Sequence, residues 1–68
     1  MTNRVRGFRK ERGLTQQELA DAVGTTRQTV ISVETGKYKP SVELALKMAR
    51  ALTARVEDLF LLEADHEA

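Results

Sequence analysis

Arg27, Gln28, Ile31 and Ser32 fall close together in the segment Thr26-Arg27-Gln28-Thr29-Val30-Ile31-Ser32-Val33. Wound as a helix at about 100° per residue, this segment turns Val30 and Val33 to one side, with Thr29 at the margin. The opposite arc then carries Arg27, Gln28, Ile31, Ser32 and Thr35. An arginine presents a planar fork of donors that matches O6 and N7 of guanine, and a glutamine pairs with N6 and N7 of adenine. Ser32, one turn on, can donate or accept, and the methyls of Ile31 suit a thymine methyl. The same side chains would also make an ordinary solvated face, with Ile31 a scattered surface apolar residue. What decides between the two is the set of elements that aims the arc.

Other chemistries find little material. There is no cysteine, and the single histidine, His66, sits near the end of an acidic stretch, so disulfides, zinc-thiolate sites and cysteine catalysis are excluded. Ser32 and Ser41 have no histidine near them in sequence. Glu57 and Asp58 are adjacent, and neighbours on a helix point apart. Glu63, Asp65, His66 and Glu67 form no recognised metal spacing. The expectation is therefore a non-enzyme without metal or cofactor. Sixty-eight residues, 41% apolar and 31% charged, hold one small globular domain. We assign it to residues 1–62, with 63–68 as an acidic C-terminal tail. No apolar run approaches the ~20 residues of a membrane span, and the N-terminus lacks a signal-peptide core, so the chain is expected in the cytoplasm with no membrane partner.

The charge is unevenly placed. Met1 to Pro40 holds eight basic and four acidic residues, a balance of +4, whereas Ser41 to Ala68 holds three and six, a balance of −3. A basic half joined to an acidic half suggests that one end faces a polyanion.

Capping signals divide the chain into five short helices, an all-α fold. The first covers Asn3 to Arg12 and ends at Gly13. Thr15-Gln16-Gln17-Glu18 is a capping box that opens the second, which carries Leu19, Ala20 and Val23 and stops at Gly24. The third starts at Thr25 or Thr26, a choice the sequence leaves open, and stops at Gly36. Lys37-Tyr38-Lys39-Pro40 is a loop. Ser41 caps a fourth helix, Val42 to Leu52, whose polar residues Glu43, Lys47 and Arg50 share one narrow stripe, so this helix is expected to be central. A fifth begins near Val56 and contains Leu59-Phe60-Leu61-Leu62. The second and third, joined by Gly24-Thr25-Thr26, have the arrangement of a helix-turn-helix spanning 16–35, with the third as recognition helix.

Residues 13–41, GLTQQELADAVGTTRQTVISVETGKYKPS, resemble the phage-repressor type of helix-turn-helix, the Cro-like or XRE family. The matching pieces are Leu14-Thr15-Gln16, Glu18-Leu19-Ala20, Gly24, Arg27-Gln28-Thr29, Glu34, Gly36-Lys37 and Pro40-Ser41. The likeness continues through Leu44-Ala45-Leu46 to Val56-Glu57-Asp58-Leu59-Phe60, nearly the whole chain. It implies a five-helix lambda-repressor-like DNA-binding domain. It also allows an extended pair, Thr2–Arg4 against Leu61–Glu63, as in some small relatives. Thr53-Ala54-Arg55 departs from the Gly-Val-Ser that the family often has. A left-handed threonine is unfavourable and an arginine cannot accept an N-cap bond, so this joint is expected to differ locally.

With the motif, Arg27, Gln28, Ile31 and Ser32 become candidate base contacts. Phosphate contacts are expected to flank them. Gln16 lies at a helix N-terminus, where free N–H groups favour an anion, and the resemblance also places a phosphate-binding glutamine there. Thr26, Lys37, Tyr38 and Lys39 are further candidates, with plain solubility the alternative for the lysines. The family often pairs an arginine at the position of Arg9 with the glutamate at Glu34, so both are read as structural. The function implied is a sequence-specific double-stranded DNA-binding transcriptional regulator, a repressor acting as a homodimer on a palindromic operator. Leu59, Phe60, Leu61 and Leu62 are the candidate dimer interface. The alternative is an antitoxin or other component whose main partner is a protein. RNA is disfavoured by the scarcity of stacking aromatics, at 4%.

Overall fold

The computed structural model describes residues 1–62. In chain order these form β1 (Thr2–Asn3), α1 (Val5–Glu11), α2 (Gln16–Val23), α3 (Arg27–Glu34), α4 (Val42–Ala51), α5 (Val56–Leu59) and β2 (Phe60–Leu61). The helices α2, α3 and α4 begin at side-chain caps, and left-handed residues follow the ends of α1, α2, α3 and α4. The acidic tail assigned to 63–68, with its carboxylates and His66, lies outside the described residues.

The capping box at Thr15 forms in both directions: the Thr15 hydroxyl accepts from Glu18 N–H at 3.0 Å, and the Glu18 carboxylate accepts from Thr15 N–H at 2.8 Å. Thr26, not Thr25, is the N-cap of α3, and its hydroxyl accepts from Thr29 N–H at 3.1 Å. Ser41 caps α4 through Leu44 N–H at 3.1 Å. Gly24 ends α2 in the left-handed conformation at φ 74°, which lets Thr25 N–H turn back to the Ala20 carbonyl at 3.0 Å.

The joint after α4 keeps this geometry without a glycine. Thr53 takes φ 52°, the one non-glycine at positive φ among the described residues. Ala54 N–H still reaches the Ala49 carbonyl at 2.9 Å, and Thr53 N–H reaches that of Arg50 at 3.2 Å. These are the paired bonds of a Schellman end. Arg55 supplies no side-chain cap to α5; instead the Asp58 carboxylate accepts from Arg55 N–H at 3.4 Å. The departure from the family's residues thus costs strain at Thr53 and a cap at Arg55, but not the turn.

The core joins Val5 of α1, Leu19, Ala20 and Val23 of α2, Val30 and Val33 of α3, Met48, Ala49 and Leu52 at the end of α4, and Leu59 of α5. The expected N- and C-terminal strand pair forms, and four expectations change. The fifth helix stops at Leu59, because Phe60 and Leu61 are strand rather than helix. Asn3 is strand rather than helix: Thr2 pairs with Leu61 and Asn3 with Phe60, antiparallel, while Glu63 of the expected pair lies outside the described residues. The α4 helix buries only one face, because so small a domain has partners for Ala45, Met48 and Ala49 but leaves Val42 76% and Leu46 55% exposed. Leu59 is fully buried within this chain, so it has no surface to give a dimer interface. Its neighbours Phe60 and Leu61 are half-buried in the strand, and Leu62 is exposed.

Candidate nucleic-acid interface

The recognition helix is fastened from behind and at its far end, so that its first turn projects. Val30 and Val33 are wholly buried, which fixes the rotation of α3 and turns the opposite arc outward. Arg27 and Gln28 are exposed, and Ile31 and Ser32 are half-exposed one turn later. Gln28 Nε2 lies 3.5 Å from Ser32 Oγ, so the two share a donor-acceptor edge along the helix.

At the far end Glu34 gathers three elements. Arg9 of α1 donates through Nε to Glu34 Oε2 at 2.7 Å and through Nη2 to Oε1 at 3.3 Å, and Gln16 Nε2 of α2 donates to Oε1 at 3.2 Å. The remaining guanidinium nitrogen of Arg9 donates to the Leu14 carbonyl at 2.8 Å. Both side chains of the pair are nearly buried, at 9% and 3% exposure. Buried charge is tolerable here because each hydrogen-bonding group finds a partner. The Arg9 and Glu34 expected to pair therefore do so inside the structure. Asn3 adds a bond from another direction, donating through Nδ2 to the Val33 carbonyl at 2.8 Å.

Two grooves flank α3. On one side Thr26, Gln28, Ser32 and Tyr38 line a shared depression. Lys37 and Tyr38 turn away from the helix there, their N–H groups capping the Ser32 carbonyl at 2.9 and 3.2 Å. Lys37, Tyr38 and Lys39 are all exposed. On the other side Arg27 shares a groove with Gln16 and Gln17 of α2 and with Arg6 and Lys10 of α1. One of the two N–H donors of the Gln16 amide goes to Glu34, so an anion at this helix start would meet the backbone N–H groups and the second amide N–H. The Thr26 hydroxyl is likewise committed to its cap. The candidate base contacts therefore come together on one arc, with the candidate phosphate contacts divided between its two flanks.

Sequence reasoning missed several positioning residues. Asn3 also accepts from Val5 N–H at 3.2 Å through Oδ1, and Arg12 donates from Nε to the Leu52 carbonyl while its guanidinium lies 4.9 Å from the centre of the Phe8 ring. The bonds of Asn3 to Val33 and of Arg12 to Leu52 span the chain and leave no local sequence signal. The exposed Val42 and Leu46 were legible as apolar, but their excess over what the core could cover was not. Among the described residues no cluster of His, Cys, Asp and Glu could hold a metal, and no helix is long and apolar enough to cross a membrane.

A short α2, a three-residue turn opened by the left-handed Gly24 and a buried-backed α3 with polar residues at its projecting end define a helix-turn-helix DNA-binding domain of lambda-repressor-like fold. The chain belongs to the XRE-type helix-turn-helix family, whose family model matches residues 5–59. It is 53% identical over 66 residues to a protein named as an uncharacterised HTH-type transcriptional regulator of Methanothermobacter thermautotrophicus, covering 96% of each chain. Among solved structures it resembles the restriction-modification controller protein C.AhdI of Aeromonas hydrophila, with 38% identity, a TM-score of 0.79 and coverage of 84% and 86%. It also resembles the P22 c2 repressor in complex with a synthetic operator, with 27% identity, a TM-score of 0.79 and coverage of 91% of each chain. The family is one of DNA-binding transcriptional regulators and not of enzymes.

Proposed function

We propose that this chain is a sequence-specific repressor that binds a palindromic operator as a homodimer. The observation that carries the reading is the projecting first turn of α3, where Arg27 and Gln28 are exposed beside a core-facing Val30. In this reading Arg27 and Gln28 read purine edges, Ser32 reads or supports a base one turn on, and Ile31 packs on a thymine methyl. Lys37, Tyr38 and Lys39 hold one stretch of backbone, and the starts of α2 and α3, at Gln16 and Thr26, offer N–H groups to others.

A single recognition helix reads few bases, so a second copy is required for useful discrimination. The two reading helices then sit about 34–36 Å apart, one turn of the duplex. The dimer surface of this reading is Phe60, Leu61 and Leu62, without Leu59. It extends over a shallow apolar groove of about 200 Å³ lined by Met1, Val42, Leu46, Val56 and Phe60. A second copy would cover the apolar area that this small core leaves exposed on α4.

Selection from randomised duplex DNA at two salt concentrations tests the proposal. A two-fold symmetric consensus is the expected result. Salt-sensitive binding without a consensus would leave only the phosphate contribution and sink the reading, in favour of a protein as main partner.

A further inference from the structure

Asn3 stands where three parts of the fold meet. Its Nδ2 donates to the Val33 carbonyl at 2.8 Å, in the last turn of α3, and its Oδ1 accepts from Val5 N–H at 3.2 Å, at the start of α1. Its backbone lies opposite Phe60 in the antiparallel ladder, and the N–H of the next residue, Arg4, donates to the Leu59 carbonyl at 2.8 Å. One residue thus joins the reading helix, the helix that carries Arg9, and the C-terminal strand. The Val33 carbonyl already accepts from Gly36 N–H at 3.0 Å, so the bond from Asn3 goes to its second lone pair. The end of α3 is closed without it. What the bond adds is a fixed distance between α3 and the strands, and among the described residues it is the only hydrogen bond between them.

That distance bears on what the strands border. Phe60, opposite Asn3, and Met1, next to Thr2, line the apolar groove that a second copy covers in the proposed dimer. We infer that Asn3 is a positioning residue that fixes the recognition helix relative to the dimer surface, and so sets the half-site separation that the dimer accepts. A second copy seated on the groove holds β2 and, through the ladder, β1. Asn3 passes that placement to Val33, one residue before Glu34, which Arg9 holds from the far end of α1. The two recognition helices then keep one separation and one relative rotation. Adding a base pair between the half-sites moves one of them by about 3.4 Å and about a tenth of a revolution, a change that helices so held do not follow. The inference rests on the reading of a homodimer on a palindrome, and it leaves the base contacts of that reading as they are.

Asn3→Asp and Asn3→Ser separate the two side-chain bonds. Each keeps an oxygen that can accept from Val5 N–H, whereas an ionised carboxylate has no donor and a serine hydroxyl is too short to reach the Val33 carbonyl as well. Affinity is measured on the selected operator, on operators with one base pair added or removed between the half-sites, and on a single half-site. The parent should prefer its own spacing. In both variants that preference should fall by about two- to tenfold, the range that one hydrogen bond commands. Half-site affinity, and the monomer–dimer equilibrium by sedimentation, should stay at the parent values. Ser41→Ala, which loses a cap of similar strength elsewhere, should keep the parent's spacing preference and so separates positioning from general loosening. Thermal melts establish that each variant is folded. A parent-like spacing profile in the folded Asn3 variants, or an equal loss on all full operators, would overturn the inference and leave the DNA-binding reading intact. A parent chain that selected no palindrome would overturn that reading and this inference with it.

Discussion

Glu34 is the residue on which the aim of the recognition helix depends, because one carboxylate binds Arg9 and Gln16 and so joins α1, α2 and α3. Glu34→Ala should cost on the order of 3 kcal/mol, since it leaves the nearly buried Arg9 cation without its partner. Arg9→Met combined with Glu34→Leu should cost much less, and urea denaturation of the two variants reads the difference directly. Thr53 works in the other direction. Its left-handed backbone carries a penalty of about 1 kcal/mol that glycine escapes, so Thr53→Gly should raise the urea midpoint and leave DNA affinity unchanged. Arg27→Ala should lose about 1–3 kcal/mol of operator binding and relax preference at one base, which a second selection would detect. Its circular dichroism melt should match the parent's. The reading arc was legible in the sequence because a helical period of 3.6 sorts Val30 and Val33 from Arg27 and Gln28 whatever surrounds them. Asn3 and Arg12 were not legible, because their partners, Val33 and Leu52, lie 30 and 40 residues away.

At the scale of elements, most starts and stops are local chemistry, and these were legible. The boxes and caps at Thr15 and Ser41 and the stop at Gly24 act within a few residues of themselves. Ser41→Ala should cost about 1 kcal/mol in thermal or urea unfolding through loss of the α4 cap. The choice between Thr25 and Thr26 was not legible, since both spacings were acceptable; the structure uses Thr26, which aligns Val30 with the core. Two boundaries moved for non-local reasons. Asn3 joins a strand because Phe60 arrives beside it, and Phe60 and Leu61 leave the helix for the same pairing. The central role expected of α4 holds for one face only. A helical wheel shows which residues are apolar, but not how much partner surface a chain of this length can supply.

The whole molecule is divided by role. Basic residues and helix starts flank α3, while the exposed apolar residues Val42, Leu46 and Leu62 lie on α4 and beyond β2. If that apolar surface joins two copies, Leu46→Glu should shift sedimentation toward the monomer and weaken binding to the full palindrome far more than to a half-site. Its effect on monomer stability should be small, because Leu46 is 55% exposed. A variant that stayed dimeric would place the interface elsewhere.

The fastening of α3 has a consequence for how such a protein could change its target. The contacts that tie the helix to the rest of the fold come from the cap at Thr26, the buried Val30 and Val33, Glu34 and the backbone around them. The side chains of Arg27 and Gln28 carry none of that load, and those of Ile31 and Ser32 carry little. The scaffold therefore acts as a socket with an interchangeable edge: those positions can drift through new combinations, each specifying another operator, while the mould that presents them stays the same.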